Sequence, residues 1–361
     1  MSAAKAGGPL GLPWWCWAAP LFALVITGLK LAHVVLPPLV LAPALVAAVL
    51  AAVHHAEVIA HRIGEPFGTL VLALAVTTIE VALIVSLMIE GGADAAALPR
   101  DTVFAAVMII LGAIVGLCLL VGGSRFGEQR FNLDGASAAL SVLGALTVLT
   151  MILPNYTLAT PGPTYAPPQL AFVGLVSIIL YLTFVFVQTV RHRDYFIDSD
   201  SAEAHAAPPP TQTAVVAALL LVVALVGVVM IGKALAPTIE AVVDSAGAPR
   251  TLVGVIIAAI VLMPEGLAAV RAARVDRLQD SLNLALGSAL ASIGLTIPAV
   301  AIVSLLLGVP LTLGLDDEEM VLLLLSLFMT ALSLRTGRTN VLGGVVHLVI
   351  FATYLFLVIV P

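Results

Sequence analysis

Ala75-Val76-Thr77-Thr78-Ile79-Glu80 and Ile260-Val261-Leu262-Met263-Pro264-Glu265-Gly266 each set one carboxylate inside a long apolar run. Each glutamate comes 15 positions after a charged residue, Glu65 before Glu80 and Arg250 before Glu265. At about 1.5 Å per residue that is about 22 Å of helix, slightly past the midplane of a hydrocarbon core about 30 Å thick. A carboxylate at that depth costs roughly 3 kcal/mol or more, so it persists mainly where it faces a polar pathway or a partner.

The surrounding composition makes a bilayer the only fitting solvent. Hydrophobic residues are 61% of the 361 and charged residues 10%, against about 25% charged in soluble domains. Spans of about 20 apolar residues are predicted at 14–32, 38–60, 66–89, 102–122, 135–154, 169–190, 213–235, 251–270, 281–308, 320–335 and 340–360, with turn chemistry between them at Gly91-Gly92, Gly122-Gly123 and Pro161-Gly162-Pro163. Lys5 and the apolar run after it fit a signal peptide, but Trp14, Trp15 and Trp17 fit an interfacial anchor and the run is long, so a retained helix is expected. The expected fold is an all-α polytopic membrane protein of about eleven transmembrane helices. One leading helix precedes two inverted five-helix repeats.

Residues 1–35 form the tail and leading helix, 36–190 the first repeat, 191–212 an acidic, Pro-rich linker and 213–361 the second repeat. With the N-terminus in the cytoplasm and the C-terminus external, eleven of the 15 Lys and Arg fall on the cytoplasmic side, as the positive-inside rule requires of an inner-membrane multi-pass protein. The linker carries Asp194, Asp198, Asp200, Glu203 and Pro208-Pro209-Pro210. It reads as a solvated connector, with a regulatory cation site as the sharper alternative.

Parity then constrains the glutamates. Spans three and eight are an odd number apart and cross in opposite directions, so equal depth along them implies an inverted repeat whose carboxylates meet near the midplane, the pattern of secondary transporters. No Lys or Arg is expected mid-span, which leaves an imported cation or a proton as the counter-charge. Pro264, Gly266 and the Thr77-Thr78 pair are helix-breaking or carbonyl-bonding residues expected to interrupt these two helices and free oxygens for a cation. In the ninth span Ser281, Ser288 and Ser292 share a helical face, with Asn283 close by. The candidate cation- and proton-binding set is therefore Glu80, Glu265, Thr77, Thr78, Asn283, Ser288 and Ser292, with Glu80 and Glu265 as the metal-binding carboxylates.

His54, Glu57 and His61 share one face of the second span at i, i+3, i+7 near its cytoplasmic end. They are candidates for proton entry or pH sensing, or form an interfacial cluster without a transport role. Asp316-Asp317-Glu318-Glu319 is expected in an external loop. Cys16 and Cys118 offer no disulfide framework. A net charge of −6 excludes a basic nucleic-acid footprint. Neither a zinc-ligand pair on one helix with a catalytic carboxylate nor a Gly-x-Ser-x-Gly elbow is present, so no enzyme and no catalytic residue is expected.

At Gly64 to Glu80 and Met263 to Thr296, including Pro264-Glu265-Gly266 and Gly287-Ser288, the chain resembles the calcium/proton exchangers of the calcium:cation antiporter superfamily, nearest to the bacterial ChaA type. The resemblance runs over essentially the whole chain. It implies that Glu80 and Glu265 bind cation and protons alternately, with Ca²⁺ as the exchanged ion and Na⁺ or K⁺ as the alternative, in a lipid bilayer and without a cofactor. The superfamily's Gly-Asn-x-x-Glu motif reads here Val76-Thr77-Thr78-Ile79-Glu80 and Val261-Leu262-Met263-Pro264-Glu265. The fourth span, Leu111-Gly112-Ala113-Ile114-Val115-Gly116, lacks the polar groups of the ninth.

Overall fold

The computed structural model describes residues 9–34, 36–64, 67–197, 208–249 and 251–360. Lys5, Glu65, Arg250 and the linker residues Asp198, Asp200 and Glu203 lie outside the described residues. Eleven helices follow in order: α1 Trp14–Leu31, α2 Pro38–Ile63, α3 Phe67–Gly91, α4 Leu98–Phe126, α5 Leu133–Tyr156, α6 Pro167–Arg191, α7 Thr211–Ser245, α8 Thr251–Arg274, α9 Leu278–Leu307, α10 Asp317–Leu334 and α11 Val341–Ile359. Ten are long and apolar enough to cross a membrane. The remaining one, α10, opens on Asp317, Glu318 and Glu319 before its apolar run. The chain is a polytopic helical membrane protein.

Local chemistry sets the ends. Pro38 starts α2 at a position whose N–H would have no partner anyway, and Gly64 ends it at φ 77, open to glycine at no steric cost. Asn132 and Asn340 cap α5 and α11, their Oδ1 atoms accepting from Asp134 N at 2.9 Å and Leu342 N at 3.0 Å. Asp316 caps α10, and its N–H donates to Glu319 Oε2 at 3.2 Å. The acidic stretch expected as a loop is thus largely a helix start, where carboxylates suit the dipole.

Inter-loop hydrogen bonds check the parity. On one face β1 (Gln129–Arg130) pairs antiparallel with β2 (Arg338–Thr339). Gln129 Nε2 reaches Asp276 Oδ1 at 2.8 Å, and Asn132 N reaches Gln279 Oε1 at 2.6 Å. Those contacts join the α4–α5, α8–α9 and α10–α11 connections. On the other face Thr312 N donates to Ala96 O, Gly314 N to Pro163 O and Leu315 N to Met151 O. Those join the α3–α4, α5–α6 and α9–α10 connections. Each bond ties loops or adjoining helix ends that an eleven-span count puts on the same side. The first face also holds Arg125, Arg130, Arg271, Arg274, Arg277, Arg335 and Arg338 and is called here the arginine-rich face.

Two expectations need correction. The helices bearing the glutamates are continuous: α3 and α8 keep α-helical assignment through Thr77-Thr78 and through Pro264. The interruptions fall in other helices, as π-turns at Ile109–Ile114 of α4, Val148–Ile152 of α5, Val187–Arg191 of α6 and Ser292–Thr296 of α9. Second, α7 extends well past the expected end near 235, so Lys233 lies inside a helix. It pairs with Glu90 at the end of α3, about 33 Å from the start of α7. It does not pair with either intramembrane glutamate.

Burial is uneven. α4 is the innermost helix, with 83% of its most apolar window buried, against 28–61% for the others. Its glycines let α11 approach closely: a Cβ on Gly112 would stand 2.7 Å from Phe351 Cβ. Two large hydrophobic clusters form, with a third of four buried residues, Leu83, Val243, Val253 and Ile257, between α3, α7 and α8. One joins α1, α2 and α7 to Ala75, Val76 and Ile79 of α3 and Val261 of α8. The larger one gathers α4, α5, α6, α9, α10 and α11, together with Ile84 of α3 and Leu262 of α8. The helices that carry Glu80 and Glu265 therefore straddle the seam between the two.

Candidate ion-binding site

Glu80 and Glu265 are 4% and 5% exposed. Glu80 lies 13 residues into α3 and Glu265 14 residues into α8, which on antiparallel helices brings them to similar depth. Among the described residues no Lys or Arg pairs with either. Their partners are hydroxyls from α9: Ser292 Oγ donates to Glu80 Oε2 at 2.7 Å, and Ser288 Oγ donates to Glu265 Oε2. Two serines one turn apart thus hold carboxylates from two different helices. The sequence expectation named all four of these residues, and the structure brings them together. Glu80 Oε1 is buried without a hydrogen-bond partner among the described residues.

The α9 hydroxyls have no counterpart in α4. From Val103 to Leu111 α4 is wholly apolar and buried. Among the described residues no three His, Cys, Asp or Glu side chains converge. A cation between the glutamates would draw on carboxylate and hydroxyl oxygens together, a donor set suited to hard ions.

A cavity of about 240 Å³ leads to Glu265 from the arginine-rich face. Leu72 and Ala73 of α3, Gln188 and Thr189 of α6, and Asp280, Asn283 and Ser288 of α9 line it, with Arg193, Phe196 and Ile197 of the linker's first turn at its outer end. Glu265 thus meets the cavity wall while Glu80 lies behind it. Gln188, Thr189 and Arg193 were missed from sequence, because nothing in an apolar helix end marks which residues will line a vestibule.

The remaining expected residues divide. Thr77 is buried, and its hydroxyl donates to Ala73 O at 2.8 Å. Thr78 is exposed, donates to Leu74 O at 2.6 Å, and faces an outer groove with Leu295 and Val303; it does not join the carboxylates. Asn283 lies on the cavity wall, but its amide is committed, Nδ2 donating to Phe196 O at 2.5 Å and Oδ1 accepting from Gln279 Nε2 at 2.9 Å. It fastens the linker's first turn, with both ends of its amide engaged.

In α2, His54 Nδ1 stands 3.8 Å from Glu57 Oε2, with the Trp15 ring 5.3 Å from the His54 ring. His55 is fully buried on Cys16 O at 2.9 Å. His54, Glu57 and His61 are absent from the cavity wall.

Comparison with known proteins identifies a family and a fold. The sodium/calcium exchanger protein family matches residues 35–190 and 216–360. A candidate ionic transporter of Sinorhizobium fredii is 49% identical over 97% of both chains. The sodium-potassium/proton antiporter ChaA of Escherichia coli is 37% identical over 84% of this chain and 83% of its own. In fold, the chain is similar to the solved H⁺/Ca²⁺ exchanger CAX, with a TM-score of 0.73 and 17% identity over 94% of this chain and 87% of that one.

Proposed function

The chain belongs to the sodium/calcium exchanger protein family, and on that premise we propose that it is a secondary active cation/proton antiporter exchanging Ca²⁺ for H⁺ by alternating access. The observation that carries this reading is the pair Glu80 and Glu265, buried, without a basic partner among the described residues, and held by Ser288 and Ser292 of one helix. A bare buried carboxylate is disfavoured, so each holds either a proton or a cation on the same oxygens. Two carboxylates neutralise one Ca²⁺ completely. Protons loaded from one side release the cation, and cation loaded from the other releases protons.

Na⁺ or K⁺ exchange for H⁺ is the second reading. It is favoured by the apolar α4 side, which offers fewer oxygens than the 6–8 that Ca²⁺ takes, and by the likeness to the sodium-potassium/proton antiporter of E. coli. The excess of arginine on one face supports a cytoplasmic N-terminus in an inner membrane, with the cavity opening to the cytoplasm. In that placement the two five-helix halves are 36–190 and 213–361.

Inverted vesicles energised by respiration and carrying a pH-sensitive dye test this. Dequenching on addition of Ca²⁺ is expected, and a response to Na⁺ or K⁺ alone selects the second reading. Glu80→Gln and Glu265→Gln are each expected to reduce cation-dependent proton flux to the vesicle background. Full flux in either variant would falsify the shared-site scheme. A reversal potential tied to the proton gradient separates exchange from an uncoupled channel.

A further inference from the structure

Most buried threonine hydroxyls within the helices share one habit, Thr213 apart, which donates to Leu10 O at 3.2 Å. Ten helical threonines, from Thr27 to Thr353, donate to the carbonyl four residues back at 2.6–2.9 Å. This is the usual way a hydroxyl is satisfied inside an apolar helix. Thr296 departs from it. Its side chain is fully buried, and its Oγ1 has no partner among the described residues.

The place of the exception is informative. Thr296 closes the π-turn Ser292–Thr296, where the backbone ladder changes register. It continues the line Ser288, Ser292, Thr296 at four-residue steps along one face of α9, each step about 6 Å. The first hydroxyl serves Glu265 and the second serves Glu80; the third has nothing assigned to it. The π-turn packs against α3, α4 and α6, and the stretch of α4 from Val103 to Leu111 has no polar side chain to offer. The other buried oxygen without a partner in this part of the molecule is Glu80 Oε1, on the carboxylate that Ser292 already holds. Two buried oxygens without partners, one on Thr296 and one on the carboxylate held by the hydroxyl a turn before it, are each costly if nothing ever meets them.

We propose that Thr296 is a cation ligand: its hydroxyl and the free oxygen of Glu80 form a subsite for a partly dehydrated hard cation, one turn beyond Ser292 and away from the cavity. This deepens the antiporter reading and rests on it. The cation entering past Glu265 and Ser288 advances along the α9 hydroxyls to Glu80 and Thr296, from where it leaves toward the other face.

The test uses the full chain with Thr296→Val, which keeps the shape and removes the hydroxyl, and Thr296→Ser, which keeps the hydroxyl. In inverted vesicles the apparent KM for the transported ion, Ca²⁺ or Na⁺, is expected to rise about tenfold in Thr296→Val, the scale of one lost ligand, and to stay near wild type in Thr296→Ser. In detergent, Thr296→Val is expected to melt at or above the wild-type temperature without ions, because an orphan hydroxyl is replaced by a methyl. The upward shift in Tm that Ca²⁺ or Na⁺ gives the wild type is expected to shrink. Wild-type KM and an undiminished ion-induced Tm shift in Thr296→Val would overturn the proposal. If the wild type itself exchanges no protons, the antiporter reading fails, and the ion-induced Tm shift still decides the role of Thr296.

Discussion

Ser288 and Ser292 make similar bonds to their glutamates, yet their surroundings predict unequal consequences. Ser292 and Glu80 are shut away from the cavity, so Ser292→Ala strands a carboxylate oxygen that no water reaches; about 1–3 kcal/mol is lost, or a KM rise of about 10- to 100-fold. Ser288 lines the cavity, where water can replace its hydroxyl, and Ser288→Ala is expected to raise KM less than Ser292→Ala. Titrating Ca²⁺ or Na⁺ against vesicles of each variant ranks them. Because proton and cation compete for the same oxygens, lowering the pH on the loading side by one unit is expected to raise the apparent KM by up to about tenfold for each proton displaced. The glutamates were legible in the sequence, since a charge in an apolar run has few bland explanations, and the serines followed from their shared helical face. Thr78 was misplaced because its hydroxyl closes on Leu74 O and it faces an outer groove that Thr77 also lines. Asn283 was misread because its partner is the backbone of Phe196, a contact across 87 residues that side-chain chemistry does not announce.

At the scale of elements, the first turn of the linker is held by side chains of α9. Asn283 grips Phe196 O, and Gln279 Nε2 stands 3.4 Å from Tyr195 O. Asn283→Leu is expected to speed amide hydrogen exchange in residues 193–197 while leaving α9 protected; unchanged exchange there would mean that packing, including the Phe184–Phe196 ring contact at 5.8 Å, suffices. The α4–α11 contact makes a different demand. Gly112→Leu would drive a side chain into Phe351 and is expected to cost about 1–3 kcal/mol, read as a lower Tm in detergent. The number of helices was legible from apolar runs. The interruptions were not, because a proline or threonine pair suggests a break, whereas the π-turns in α4, α5, α6 and α9 leave no compositional trace.

For the whole molecule, the decisive feature is which side the cavity faces. Gln188 lines it, and both native cysteines are buried, so Gln188→Cys adds a reactive thiol over a low background. A membrane-impermeant maleimide is expected to label it in inverted vesicles and to spare it in right-side-out ones. Labelling only from the other side would reverse the proposed orientation. The two large hydrophobic clusters meet along α3 and α8, so relative motion of the bundles would act where the glutamates sit. The double grip of α9 carries a kinetic corollary. One helix contacts both carboxylates, so any displacement of α9 perturbs both titrating groups together. Proton release should then be cooperative, with a Hill coefficient for H⁺ nearer two than one, and α9 would act as the crankshaft that keeps the two half-reactions in phase.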